Sequence, residues 1–493
     1  MEEKTLDKYE VVADNVPAKI TIIRTKEEFV PMYKMSFPRV EPATQAVLDA
    51  VRERMITEEL EIKPLEILNP EELERLKKEF AKKSAKLIAE ELPHLNKREQ
   101  EVLAGLLVHK SLGLGPIEIL LQDMNIEEIV INNAKDPIWV YHRKIGWLKT
   151  DVKVNSEMET YNYASLIGRR VGSQITNLNP LMDAYLTTGD RANATLFPIS
   201  SGGNTITIRK FARKPWTITD FIKAGTISAE AASFLWLAIQ YELNIVVAGG
   251  TASGKTSLLN VLSYFFPPNH RILSIEDTRE IQLPDFLHWV PLTTRPKNPE
   301  GKGEITMLQL MINSLRMRPD RIIVGEIRRS SEAEVLFEAI HTGHSVYATL
   351  HANTSEEAYR RLTNPPINIP ETMMGALQII VSMHRDRRRE IRRVFQVSEI
   401  LPGYGSAKTE INDVFGWSPS DDNIIKQNKS RRVIEEIKLY TGMTENEVDK
   451  NLEEKKKILE WLIKNGKSDV NEVGRIISEY YTDPESVLKL IRK

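Results

Sequence analysis

The chain has 493 residues, which suggests two to four domains, and 41% of them are hydrophobic, enough for packed cores. A formal net charge of −2 lacks the basic excess that announces nucleic-acid binding, and the absence of cysteine excludes disulfides and thiolate metal sites. No apolar stretch approaches the roughly 18–20 residues that span a bilayer, and the charged start "MEEKTLDKYE" has no signal-peptide core. The expectation is a soluble intracellular protein whose membrane association comes through partners or its surface.

Residues 1–40 alternate weakly ("YEVVA", "AKITIIR") and predict a few short strands. "PEELERLKKEFAKKSAKLIAEEL" (70–92) places Leu73, Leu76, Phe80 and Leu87 on a helical period, and "KREQEVLAGLLVHKSLG" (97–113) predicts a second helix. From Ile126 the period becomes two. "EEIVIN", "PIWVYH" and "GWLKTDVKV" read as strands with a turn near Lys144–Gly146, followed by a helix over 157–172 and a hairpin at Ser201–Asn204. "RKPWTITD" (213–220) reads as a linker with Thr219 as helix cap. Beyond it "NIVVAG", "RILSI", "RIIVGE" and "SVYATLH" are buried runs suited to a parallel sheet covered by helices on both faces. Residues 430–493 are helical, with a capping box at Thr444–Glu447 and a stop at Gly466. The expected domains are an extension of short strands and helices (1–94), an α+β domain (95–214), an α/β domain (215–425) and a C-terminal helical region (426–493).

"GGTASGKT" (249–256) follows a predicted strand and opens a predicted helix. Gly249, Gly250, Thr251, Ala252, Ser253 and Gly254 can turn backbone N–H groups toward an anion, helped by the dipole of the helix begun by Lys255, Thr256 and Ser257. Lys255 reaches the β- and γ-phosphates, and the Thr256 hydroxyl can ligand Mg²⁺. The expected cofactors are ATP and Mg²⁺.

Ligands of a parallel α/β sheet sit outside the carboxyl ends of its strands. Glu276, Asp277 and Glu280 follow "RILSI", Glu326 ends "RIIVGE" and His351 ends "SVYATLH". Glu326 is placed to orient or deprotonate an attacking water; the structural alternative is an ion pair with Arg328 or Arg329. Glu276 or Glu280 could instead only support Arg279. Asp320 precedes its strand, at the wrong end for Mg²⁺, and reads as a cap. His341, His344 and His351 are too spread for zinc, and His351 suits phosphate sensing.

Together these segments resemble the type II/IV secretion ATPase family, motors for pilus assembly, secretion and archaeal swimming filaments. Four boxes carry the resemblance: "GGTASGKT", the acidic "ILSIEDTREI" (272–281), the variant Walker B "RMRPDRIIVGEIR" (316–328) and the histidine box "TGHSVYATLHANT" (342–354). "GLGPIEILLQDMNIEEIVIN" (113–132) and "NPLMDAYLTTGDRANATLFP" (179–198) extend it over about 95–400. The resemblance implies a RecA-like P-loop ATPase domain behind the α+β domain, a homo-hexamer, and a place at the cytoplasmic face of the cell membrane. A polytopic membrane platform and filament or secretion subunits are the implied partners. It carries Lys255 and Thr256 over as phosphate and Mg²⁺ ligands, Glu326 as catalytic carboxylate, and Glu276 and Glu280 as acidic-box groups, Glu276 toward Mg²⁺. His344 and His351 become histidine-box residues, and Arg191 and Arg209 match arginines that reach the nucleotide phosphates. Arg329 departs from the Gly or Asp usual after "GEIR". The missing four-cysteine zinc module looks more like the archaeal branch.

A competing class is a nucleic-acid translocase on the same core, disfavoured by the acidic balance; a scaffold that only senses ATP is disfavoured by Glu326. "HRDRRREIRR" (384–393) is the one basic concentration and reads as a hairpin tip between "LQIIVSM" and "VFQVSEI", with an acidic partner or anionic lipid as the functional alternative.

Overall fold

A computed structural model describes residues 4–38, 40–55, 57, 70–171, 174–186, 189–210, 215–295, 297, 301–403 and 409–492. Arg213 and Lys214 of the expected linker lie outside the described residues, as do Thr187 and Thr188. The chain divides into two compact units, the first running to Arg213 and the second taking in Lys214–Lys297 and Gly301–Lys493.

Among the described residues the first unit has one sheet built from β1 (Lys4–Ala13), β2 (Val16–Arg24), β3 (Met32–Ser36), β4 (Ile126–Ile131), β5 (Trp139–His142), β6 (Gly146–Thr150), β7 (Leu181–Tyr185), β8 (Arg191–Thr195) and β9 (Thr205–Arg209), in the order β1-β2-β3-β6-β5-β4-β9-β8-β7. The first two strands are long because Asp14 and Asn15, both at positive φ, form the tight turn whose twist suits a hairpin. β3 joins β6 in parallel (Met32↔Lys149), so residues 4–36 and 126–209 share one sheet. The helix Lys97–Ser111 lies close over the hairpin turn: a Cβ at Gly105 would run into the Asp14 carbonyl. The helix Pro42–Arg54, which no periodic run announces, starts with proline at its first turn, where the missing N–H does no harm.

The second unit contains β10 (Ile245–Gly249), β11 (Ile272–Glu276), β12 (Trp289–Thr293), β13 (Arg321–Val324), β14 (Ser345–Leu350), β15 (Ile379–Asp386), β16 (Ile391–Leu401), β17 (Glu410–Ser418) and β18 (Asn423–Lys426). Their order is β12-β11-β13-β14-β10-β15-β16-β17-β18. The six strands from β12 to β15 are parallel; β16 to β18 extend the sheet antiparallel. This is the expected α/β fold with a parallel-rich sheet. β10, β11, β13 and β14 are buried along their whole length, which explains their unbroken apolar runs. β12 carries Pro291, tolerated because it is an edge strand with one hydrogen-bonded neighbour.

The capping helix after the linker corrects one expectation. Its cap is Thr217, whose N–H and hydroxyl donate to Asp220, while Thr219 sits inside the helix and its hydroxyl donates to the Lys467 carbonyl. The helix Ala229–Gln240 is buried from Ala231 to Ile239 because the C-terminal helices cover it. Trp236 stacks on Phe265 at 5.0 Å and its indole N–H donates to the Tyr481 hydroxyl, which donates to the Phe265 carbonyl. The helix Glu445–Lys464 begins at the Thr444 capping box and ends before Gly466 at φ +67°.

Candidate active site

β10 delivers the chain to Gly249, and the helix Lys255–Ser263 starts six residues later. Gly254 caps that helix at φ +96°, a conformation that favours glycine, and Ala252 is held at φ +58°. Inside the loop three donors converge on one acceptor, the Gly250 carbonyl: the Ser253 N–H at 3.3 Å, the Ser253 hydroxyl at 2.9 Å and Lys255 Nζ at 3.1 Å. Donors that converge at a helix start could hold an anion, since a phosphate oxygen accepts the same N–H and O–H groups that here meet the carbonyl. Lys255 is 9% exposed. Burial lowers its pKa, against the opposing pull of Glu326 and Glu280. Thr256 and Ser257 lie in the first turn of the helix.

The parallel order brings the ends of β11, β13 and β14 to the same edge as the loop. Glu276 closes β11 and is 2% exposed. Its Oε1 accepts the N–H groups of Glu280 and Ile281 at 2.8 and 3.0 Å, whereas Oε2 is buried without a hydrogen-bond partner. Burial pushes this carboxyl up to about 7, opposed by those two N–H groups. Glu280 sits beside it, near enough to raise the Lys255 pKa.

Glu326 follows β13. Its Oε2 accepts from Arg328 Nε at 2.8 Å, and its Oε1 lies 3.2 Å from His351 Nε2. Arg328 also donates to Asp277 at 2.5 Å, so one guanidinium ties the ends of β11 and β13. The ion pair foreseen as the structural alternative for Glu326 is therefore present with Arg328, together with a histidine contact. The Arg329 N–H, by contrast, donates to Glu332 at the start of the helix Ser330–His341. The turn carrying Glu326 is pinned by the Gly325 N–H on the Ile275 carbonyl and the Ile327 N–H on the Thr349 carbonyl. Burial, then Lys255, holds the His351 pKa below its ordinary value.

His344 is not brought to this edge. It precedes β14, and with parallel strands the residue before a strand lies about 20 Å from the edge its end reaches. There its Nδ1 lies 3.1 Å from both the Ala339 carbonyl and the Thr342 hydroxyl. Asp320 occupies the same far edge, where its carboxylate accepts the Arg271 N–H at 2.7 Å. In the first unit Arg191 and Arg209 are direct cross-strand partners on β8 and β9, and Arg191 forks onto Asp183 at 2.8 and 2.5 Å.

Sequence reasoning left three contributors without a role. Asp277 was visible at its strand end. Asn353 stands by Gly250, with its Oδ1 3.1 Å from where a Cβ would be. Arg392, whose Nε donates to the Ala252 carbonyl at 3.1 Å, is 140 residues from it in sequence; the basic run 384–393 that contains it gave no sign of this partner.

The family described as type II/IV secretion system protein matches residues 111–482. The chain belongs to this family. An uncharacterised protein of Methanocaldococcus jannaschii is 35% identical over 390 residues, spanning 78% of this chain and 70% of the relative. The type IV secretion system protein PtlH of Bordetella pertussis is 30% identical over 276 residues, 52% of this chain and 80% of PtlH. The solved VirB11 ATPase of the Brucella suis type IV secretion system is 25% identical, covers 57% of this chain and 91% of that chain, and has a TM-score of 0.30. With its phosphate loop, the chain is an ATPase of the type II/IV secretion family. Among the described residues no helix is long and apolar enough to cross a membrane.

Proposed function

We propose that the chain is a motor that hydrolyses Mg²⁺·ATP to drive assembly of type IV pilus-like filaments, the archaeal swimming filament, or protein secretion. In this reading it works as a homo-hexamer at the cytoplasmic face of the cell membrane, against a polytopic platform protein. The observation that carries the chemistry is Glu326, fixed between Arg328 and His351 at the edge that presents the Lys255 loop.

The loop N–H groups and Lys255 bind the β- and γ-phosphates. The residues fit a hydrated Mg²⁺ accompanying the nucleotide: Thr256 offers a hydroxyl from the helix start, and the unpartnered Glu276 Oε2 can accept from a metal-bound water. The metal supplies charge neutralisation on the phosphate oxygens. Glu326 orients the attacking water and takes its proton, Arg328 holds the carboxylate in place, and His351, neutral above its lowered pKa, is placed to follow the γ-phosphate. Glu326, then Glu280, opposes the lowering of the Lys255 pKa by burial. Arg191 and Arg209 are proposed, on the resemblance alone, as guanidinium partners of nucleotide phosphates; Arg191 here forks onto Asp183.

Lys255→Ala is expected to lose nucleotide binding, and Glu326→Gln to bind normally and lose turnover. Wild-type hydrolysis by the Gln variant would remove Glu326 from this role. Activity is expected to rise on membranes carrying the platform and to ignore nucleic acid; strong stimulation by DNA or RNA with a steep salt dependence would favour a translocase.

A further inference from the structure

We propose that Arg392 is a positioning residue for nucleotide binding, bracing the phosphate loop from the side opposite the anion. The inference rests on the reading of residues 249–256 as the nucleotide site.

β15 runs parallel beside β10, with Met383 opposite Gly249, and β16 returns antiparallel with Arg392 opposite Arg385. The turn end of this hairpin is thereby laid against the loop. A Cβ at Gly249 would stand 3.0 Å from Met383 Cβ; one at Gly254 would stand 3.4 Å from Arg392 Cδ and 3.5 Å from Met383 Cε. The loop thus packs on Met383 and on the Arg392 stem before any charge is considered.

The charged end then acts on one peptide. Arg392 Nε donates to the Ala252 carbonyl at 3.1 Å. In a trans peptide the carbonyl and the following N–H point opposite ways. Gripping the Ala252 oxygen from outside therefore turns the Ser253 N–H inward, where it meets Gly250 O beside the Ser253 hydroxyl and Lys255 Nζ. Ala252 sits at φ +58°, which a side chain with a Cβ disfavours, so this peptide needs external support. A charge-assisted donor supplies it. The support is itself braced: Arg393 forks onto Asp422 at 2.8 and 2.8 Å and donates to the Ala224 carbonyl, and Asp386 accepts the N–H groups of Arg388 and Arg389 at the turn. Residues Arg387, Arg388 and Arg389 are exposed at the tip, while Arg392 points its charge at the loop.

The test measures the Kd of a fluorescent non-hydrolysable ATP analogue with Mg²⁺, alongside KM and kcat, on the full chain. Arg392→Ala should weaken binding about tenfold, equivalent to about 1.4 kcal/mol, and raise KM alike while kcat stays within about twofold. Arg392→Lys, which keeps a charged donor, should recover to within about threefold of wild type. In an Ala252→Gly background, where positive φ carries no penalty, the loss from Arg392→Ala should shrink to about threefold. Arg388→Ala, which removes the same charge from the tip, should leave Kd unchanged. Equal weakening by Arg388→Ala and Arg392→Ala overturns the proposal in favour of a diffuse field, and undiminished loss in the Ala252→Gly background overturns the route through Ala252. If Arg392→Ala does not fold, the Lys variant with and without Ala252→Gly decides by the same coupling. Lys255→Ala separates the two levels. If it binds normally, the nucleotide-site reading fails; if it does not bind while Arg392→Ala binds as wild type, only the present inference fails.

Discussion

Lys255 and Lys455 are both withdrawn from water, at 9% and 0% exposure, and burial lowers the pKa of each. Their surroundings differ. Lys255 stands at a strand edge, where Glu326 and Glu280 favour its charged form and neighbouring donors converge on the same point. Lys455, on the C-terminal helix Glu445–Lys464, lies 5.4 Å from the Trp236 ring and 4.8 Å from Tyr480 and donates to Asn451. Only Glu454 opposes its desolvation, and its pKa falls to about 7. In the proposed function one lysine meets an anion, whereas the other is a packing element that tolerates its charge poorly. Burial alone therefore does not mark a functional lysine; burial with convergent donors and opposing carboxylates does.

The contrast is sharpest in turnover. Glu326→Gln should lower kcat by about 10²–10⁴-fold, the range for losing a positioned base, whereas Lys455→Met should leave it within about twofold. Phosphate release measures both, and a comparable loss in the two variants would erase the distinction. Next in size is stability. Trp236→Ala should cost about 3–5 kcal/mol in denaturant unfolding, while exposed Ser257→Ala should shift it by less than about 0.5 kcal/mol.

The two regions also respond oppositely to pH. Burial lowers the Lys455 pKa to about 7 in the folded chain, against an ordinary 10.5. Between these values the unfolded chain binds more protons, so stability rises with pH across that window, by about 2 kcal/mol from pH 7 to 9. Lys455→Met should remove this rise relative to wild type and be the more stable protein at pH 7. Glu276 has the reverse sign. Its folded value of about 7 lies above the ordinary 4.5, so the folded chain binds more protons there and stability falls as pH rises, by about 2 kcal/mol between pH 5 and 7. Glu276→Gln should flatten that fall. A wild-type profile unaltered by either substitution would show that neither group is buried as described.

The parallel sheet was legible because strands buried on both faces must be apolar throughout, as "NIVVAG" and "SVYATLH" are. Long-range pairing was not. β12 hides behind Pro291, and the docking of β16 beside the phosphate loop depends on β15 pairing with β10, which no local pattern encodes. Strand direction predicted where these residues lie: Glu276 ends β11, Glu326 and His351 follow β13 and β14, and Asp320 precedes β13. The same rule, applied to His344, puts it at the far edge, although the resemblance alone had placed it with His351 as a histidine-box residue. Arg328 as the tie between Asp277 and Glu326 needed the spatial order β11-β13, which sequence order obscures.

The apolar helix Ala229–Gln240 has a consequence for how the protein is made. Trp236 finds Tyr480 and Tyr481 only after roughly 240 further residues have left the ribosome, on the order of 12–50 s at ordinary synthesis rates. Throughout that interval the nascent α/β unit carries an uncovered greasy surface. Synthesis stalled or cut before the helix Val470–Thr482 should therefore leave a product that holds chaperones or aggregates, even though every residue of the phosphate loop has already been translated.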